Sequence, residues 1–448
     1  VGFQAGYAVT TGINNILVGS KAGDALTDAD HNIAIGMNSL SADTLGSKST
    51  AVGYTALYAQ NFTSATDSNN TAVGFQAGVA VTTGVSNTLI GAYAGDAITD
   101  ADNNVVVGRT ALSADTLGGA STAIGYNTLV VQNFTSATNS FNTAVGYNVG
   151  AAVTTGVNNT LIGALAGDAL TDADHNVAVG RGALSTDTLG SQSTAIGYKA
   201  LETQNFTSAT NSNNVAVGYY TGKAVTTGQN NSLLGAHAGD ALTTGSSNVA
   251  LGFEALSTED AHGLNTAVGY RALKTLNAGV DAGHTAIGYN SGTAMTTATS
   301  NTLVGGASGA ALTTGGGNVA LGSASLDADT AGGRSTALGY KTLSAQNFTS
   351  ALSSNNTAAG YSAGEDITTG VSNTLLGSSA GANLTDADFN TAIGHGCLDA
   401  DTLGSRSTAV GYLALSVQNF TSATDAYNVA VGLQAGFAVT TGLTNTLI

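Results

Sequence analysis

A five-residue pattern recurs along the whole chain: Asn or Ser, a β-branched residue, Ala or Leu, an aliphatic residue, then Gly. Asn70-Thr71-Ala72-Val73-Gly74 and Asn159-Thr160-Leu161-Ile162-Gly163 are two examples. Alternation with a period of two predicts a short strand, with one set of side chains on each face. The closing glycine occurs 25 times between Gly2 and Gly432. It runs Gly2, Gly19, Gly36, Gly53 and Gly74, a spacing of 17, 17, 17 and 21 that begins again at Gly74 and at Gly146. One later cycle is shorter, because its Gly269 and Gly288 stand only 19 apart. Fixed periods of this kind mark solenoids, in which one repeat buries its apolar face only when the next stacks on it. The predicted fold is all-β: a parallel β-solenoid of about 25 rungs, continuous over 1–448 as one domain. Its super-repeats are 2–73, 74–145, 146–217, 218–287, 288–359 and 360–431, with a partial copy at 432–448. At about 4.8 Å per coil, such a stack would form a rod of roughly 115 Å.

Four rung types alternate within each super-repeat. The residue two before the glycine is usually Ala, but is Leu in the second rung (Leu17, Leu89, Leu161). Four residues after the glycine, rungs one and two carry Gly (Gly6, Gly23, Gly78, Gly95), whereas rungs three and four carry Leu (Leu40, Leu57, Leu112, Leu129). A further apolar column lies seven after the glycine in rungs one and two (Val9, Leu26, Val81, Ile98). It lies nine after in rungs three and four (Leu45, Phe62, Leu117, Phe134). Coordinated exchange of this sort is the mark of two ways to fill one interior. The Thr/Val/Ile face, with Val145, is expected to be buried. The Ala/Gly face, with Ala144, is expected to be the surface where chains approach closely. Asn or Ser four before the glycine (Asn32, Ser49, Asn70, Asn87) suits a left-handed turn position and a side-chain ladder.

Composition narrows the class. With 61 Gly, no Pro, no Trp and 9% charged residues, the chain favours strands joined by turns, and no Pro interrupts a ladder. A net charge of −17 with 11 Lys plus Arg makes nucleic acid a poor partner. No apolar run is long enough to span a membrane as a helix. The chain opens and closes inside repeat motifs, which suggests an excerpt of something longer. Cys397 falls in a column of small residues (Ala56, Ala111, Ser325) and reads as a small buried side chain.

Candidate chemistry is sparse. Aromatics follow the glycine on consecutive rungs, as Tyr54 then Phe75, Tyr126 then Tyr147, and Tyr198 then Tyr219. A ring-on-ring ladder is the simpler reading, and an exposed sugar platform the functional one. The longer fourth rung predicts a protruding loop with Asn-Phe-Thr at its base (Asn61 to Thr63, Asn133 to Thr135, Asn205 to Thr207), a formal glycosylation sequon. Its Phe also fits the apolar column. Asp24, Asp28, Asp30 and Asp43 recur as Asp96, Asp100, Asp102 and Asp115, and again as Asp168, Asp172, Asp174 and Asp187. Solvated turn positions account for them, with calcium bridging the alternative. Gly377-Ser378-Ser379-Ala380-Gly381 matches a nucleophile elbow, but both glycines are repeat columns. The six His (His31, His175, His237, His262, His284, His395) share no ligand spacing. No catalytic, cofactor-binding or metal residues are assigned, and no enzyme is expected. Ice binding is a remote alternative, because only one Thr precedes each glycine.

The runs Asn-Thr-Ala-Val-Gly-Tyr-Asn-Val-Gly at 142–150 and Ser-Thr-Ala-Ile-Gly-Tyr-Lys-Ala-Leu at 193–201 resemble the head repeats of trimeric autotransporter adhesins. They are similar also to repeats of bacteriophage tail fibres. The resemblance implies a left-handed parallel β-roll with three chains about one axis. It also implies an extracellular fibre, on a cell surface or virion, that attaches to a surface or glycan ligand.

Overall fold

A computed structural model describes residues 1–448. The chain forms a parallel β-solenoid of short strands and turns, with no helix. It divides into two compact units, Val1–Thr227 and Gly228–Ile448, each built from the same coil. In the first, Ile33–Ile35 pairs in parallel with Thr50–Val52, and that strand with Thr71–Val73, residue for residue in the five-residue pattern. In the second, Thr374–Leu376, Thr391–Ile393 and Thr408–Val410 pair the same way. One glycine interval is therefore one coil, as the spacing predicts.

The longer fourth rung adds a second, two-residue ladder. Gly46–Ser47 pairs with Thr66–Asp67, Gly118–Gly119 with Thr138–Asn139, and Gly404–Ser405 with Thr424–Asp425. The extra residues give the expected loop a hydrogen-bonded base. The shortened rung between Gly269 and Gly288 forms no such strand.

The two strand faces are the reverse of the expectation. Ala72, Leu89, Val106, Ala123 and Ala144 are fully buried inside the coil. The flanking residues point outward: Val73 is 36% exposed, Ile90 38% and Ile162 39%, and Val145 is half-buried. A three-residue strand that puts small residues inward can wrap a narrow coil, which explains why Ala holds the central position.

The Gly/Leu column has a volumetric cause. The position four after the glycine is left-handed in every rung type, at φ 56° for Gly23 and Gly78, 52° for Leu40 and 50° for Leu57. At Gly95 a Cβ would lie 2.8 Å from Ile98 Cδ1 and 2.9 Å from Leu89 Cδ2. Leu89, the strand residue of the second rung, already fills that space. The same side chain also crowds Gly78 on the coil before, with Cδ1 2.5 Å from where a Cβ would sit. In rungs three and four, whose strand residues are Val106 and Ala123, Leu112 and Leu129 reach in from the turn instead and are fully buried. A left-handed non-glycine residue costs about 1–2 kcal/mol, which the buried leucine offsets at about 1.5–3 kcal/mol. The invariant glycine is fixed differently. Gly91 has φ +134°, and a Cβ there would sit 2.5 Å from the Gly108 carbonyl oxygen on the next coil.

The Asn/Ser column forms the expected ladder, inside the coil. Asn70 Oδ1 accepts the Asn87 N–H at 2.9 Å, and Asn87 Nδ2 donates to the Ala101 carbonyl at 2.8 Å. The left-handed residue is its predecessor, Asn69 at φ 51°. Asn thus serves as a buried donor and acceptor for the turn, and the residue before it makes the bend.

Candidate functional site

Seven residues after each glycine, every rung type points inward, including those where the sequence suggests otherwise. In the second super-repeat that column reads Val81, Ile98, Asp115 and Gln132, all buried. Asp43, Asp115 and Asp187 are consequently core residues rather than solvated turn residues, and Leu45 and Leu117 are only half-buried. The reason is a polar network that closes on itself. Gln132 Nε2 donates to Asp115 Oδ2 at 2.6 Å and to Ser121 Oγ at 3.0 Å, while Gln132 Oε1 accepts Asn142 Nδ2 at 2.8 Å. Asp115 Oδ1 accepts the Gly118 N–H at 2.8 Å. Ser121 and Ser140 hydroxyls lie 2.6 Å apart. The same set recurs around Asp43–Gln60, Asp187–Gln204 and Asp329–Gln346, and around Asp401–Gln418 with Ala426 in place of the second Ser.

No cation faces these carboxylates. Burial pushes Asp43, Asp115 and Asp401 above the ordinary Asp range, and the Gln amides and backbone N–H groups pull part of the way back. Buried carboxylates survive only when hydrogen-bonded, and here donors rather than charge hold them. The signal in the sequence is an Asp followed by a Gln at the same column of the next coil, as Asp115 is by Gln132.

The fourth super-repeat replaces this network as a block. Glu259, fully buried, stands where Asp115 does, Leu276 where Gln132 does, and His262 where Gly118 does. Glu259 Oε1 accepts the His262 N–H at 3.2 Å and lies 3.3 Å from His262 Nδ1, and Oε2 accepts the Ala278 N–H at 3.2 Å. Ligand atoms of Glu259, Asp260 and His262 all lie within 4.8 Å of one another, a spacing compatible with a metal ion. The Asp-rich loops offer no such convergence. Asp28 accepts the Thr11 hydroxyl, Asp30 the Ile13 N–H at 2.7 Å and Asp102 the Val85 N–H at 2.7 Å. His284 replaces an Asn in the ladder: Nδ1 accepts the Asn301 N–H at 3.1 Å and Nε2 faces the Ala298 carbonyl at 2.9 Å. That places the proton on Nε2. Burial holds the imidazole below the usual His range.

Outside, the aromatics form the expected ladder. Tyr54 and Phe75 stack at 5.3 Å with 11° between planes, Tyr126 and Tyr147 at 5.5 Å and 15°, Tyr198 and Tyr219 at 5.5 Å and 14°. Phe253, Tyr270 and Tyr289 extend it to three rings. The faces between stacked rings are used by the rings themselves, which leaves edges and end faces for any ligand. Tyr220, hydrogen-bonded to Tyr219, has its phenol pushed up to about 12.

The remaining candidates take structural places. Phe62, Phe134 and Phe206 of the sequons are buried, whereas Asn61 and Asn133 are exposed. Thr44 and Thr116 hydroxyls donate to those two Asn side chains at 3.0 and 2.9 Å. Ser379 occupies a left-handed turn position at φ 52°, as Tyr93 does at 60°. Cys397 is buried, and its thiol donates to the Gly394 carbonyl at 2.8 Å, as Ser325 does to Gly322. Burial pushes this thiol up to about 11.

No protein-family model matches the chain, and neither a curated protein nor a solved structure is similar to it. No helix is long and apolar enough to cross a membrane.

Proposed function

We propose that the chain is a shaft segment of an extracellular homotrimeric fibre, structural and adhesive in role, of the bacterial-surface adhesin type. The observation that supports this reading is the outward strand face. In each unit it presents aliphatic side chains one before the glycine and stacked aromatics one after it. A continuous apolar stripe of this length calls for a cover. An aromatic side chain buries about 150–250 Å² when enclosed, so the half-exposed rings of the three pairs in the first unit would add about 600 Å². That approaches the ~800 Å² per partner of a stable interface before any aliphatic is counted. Identical chains carry identical stripes, and three of them close around one axis without leaving a stripe open.

The interior supports a mechanical role. Its polar groups are consumed by the ladder and the Asp–Gln networks, and nothing there opens to a substrate. In this reading the chain neither catalyses a reaction nor depends on a cofactor, and calcium at the Asp loops is not its glue. A phage tail-fibre shaft asks for the same coil and the same face. Light scattering on the 43.8 kDa chain tests the proposal. The expected result is three times that mass, unchanged by chelator. A monomer would refute the fibre, and dissociation by chelator would make the metal structural.

A further inference from the structure

One place on the first unit departs from its repeats in a way that makes a cleft. The rung-three residue two after the glycine is Asn38, Thr110, Glu254 or Ala324 in four other super-repeats and glycine at Gly182 and Gly396. At Gly396 the space is taken by Leu413, whose Cδ2 lies 2.8 Å from where a Cβ would sit. All six are left-handed, at φ 56°, 55°, 53°, 52°, 66° and 61° respectively. A Cβ at Gly182 would meet nothing closer than Lys199 Cγ at 3.4 Å. Elsewhere the position is occupied: Thr110 bonds Asn127 at 2.5 Å, and Glu254 holds both Arg271 at 2.8 Å and Lys274 at 2.7 Å. The space left at Gly182 is a cleft of about 240 Å³, walled by Asp168, Arg181, Ser185, Lys199 and Glu202.

The wall chemistry is bipolar. Lys199 pairs with Glu202 at 2.7 Å, and Lys223 stands 4.0 Å from the same carboxylate. Arg181 is exposed, lies 5.9 Å over the Tyr198 ring and makes no ion pair. Three of the chain's 11 cations therefore gather on successive rungs of a protein with net charge −17. Beside them Asp168 Oδ1 is buried without a donor. The same oxygen is unpartnered at Asp24 and Asp96, but there Asn38 and Thr110 take the place of Gly182. A ligand that fits must bring an anion for Arg181 and Lys199, and hydroxyl donors for Asp168 and Glu202. The volume is below the ~300–1,000 Å³ of sites for drug-sized molecules, which limits the occupant to one small ring.

We infer that this cleft binds a single acidic sugar unit, a hexuronate or its like, with its carboxylate on Arg181 and Lys199 and its hydroxyls on Asp168 and Glu202. The inference rests on the adhesive reading for its biological setting only, and it competes with the trimer for one rung, because Arg181 and Tyr198 stand on the outward face that the trimer would cover. The sugar measurement on the chain judges the cleft, and light scattering judges the fibre.

The test is saturation-transfer NMR on the full chain with D-glucuronate, D-glucose and acetate as probes. Glucuronate is expected to bind with millimolar affinity and to exceed each of the others at least tenfold. Gly182→Thr, which restores the side chain tolerated at Thr110, should abolish the signal without altering the circular dichroism spectrum. Arg181→Ala should weaken binding at least tenfold. Equal binding of glucose would overturn the role of the cations, and equal binding of acetate would reduce the cleft to a charge site. A signal that survives Gly182→Thr would place the sugar elsewhere.

Discussion

Gln132→Leu isolates the energetic logic of the interior. The substitution removes the donor to Asp115 at 2.6 Å, together with bonds to Ser121 and Asn142. Ser121 keeps Ser140 at 2.6 Å, and Asn142 keeps the Gly156 carbonyl at 2.7 Å, so neither is orphaned. Asp115 Oδ2 alone loses its donor. A hydrogen bond to a charged group contributes about 1.5–3 kcal/mol, and an unmet buried charge costs more. The apolar leucine returns part of this, which leaves a local cost of about 2–4 kcal/mol at pH 7.

That cost depends on pH with a fixed sign. Burial already raises the native pKa of Asp115, and Gln132 opposes the rise. A raised native pKa gives stability that is fully present below the unfolded value, about 3.9, and is lost as pH climbs through the native value. Removing Gln132 lifts the native value further, so the variant is most damaged at neutral pH and partly rescued in acid. Repeat arrays open locally, so the assay is hydrogen exchange of the segment 115–134 at pH 7 and pH 4, corrected for intrinsic rates. Protection should fall by roughly 30- to 1,000-fold at pH 7, the equivalent of about 2–4 kcal/mol, and by much less at pH 4. An equal or larger loss at pH 4 would refute the claim that a buried, ionised carboxylate is what the glutamine serves.

Ala144→Trp should overpack the coil interior and expose its neighbours to exchange, at a cost of about 3 kcal/mol or more. Val145→Asp should leave the coil folded within about 1 kcal/mol but reduce the mass seen by light scattering; a local exchange defect with normal mass would restore the opposite face assignment. Gly91→Ala meets the Gly108 carbonyl at 2.5 Å and a φ of +134°, so it should destabilise its coil by about 1–3 kcal/mol, and unchanged exchange at 88–108 would contradict this. Native Cys397, with its thiol pushed up to about 11, should resist iodoacetamide at pH 8 and react only in denaturant; rapid native labelling, followed by mass spectrometry, would show it is not buried.

Glycine spacing made the coil legible, because a backbone contact repeated on each turn leaves only one residue type. The register followed from the same column. The Gly/Leu exchange was visible as covariation, and its cause, Leu89 filling the space beside Gly95, is a contact in space that spacing alone does not carry. The strand faces were misread because small residues suggest a surface for close approach between chains. In a narrow coil they are what the interior has room for. Asp115 was misread because polarity argues for solvent, and its partner Gln132 sits a whole coil further along the chain. Pairing across coils is invisible to a local reading, although Asp and Gln change together at Glu259 and Leu276. The cleft at Gly182 was hidden by its own cause, one more glycine in a chain of 61.

The packing of Leu89 also decides how such a chain can grow. Its side chain reaches Gly78 on the coil before and Gly95 on its own, and Leu57 from the preceding fourth rung touches the same Gly78 position. Each coil is thus cut to fit the types on either side. Deleting a single coil would set a leucine against a leucine or leave two glycines facing an empty space. Deleting a complete super-repeat, such as 74–145, rejoins surfaces that were already partners. Recombination between copies is therefore tolerated only in whole super-repeats, and natural variants of this protein should differ in length by steps of four coils rather than one.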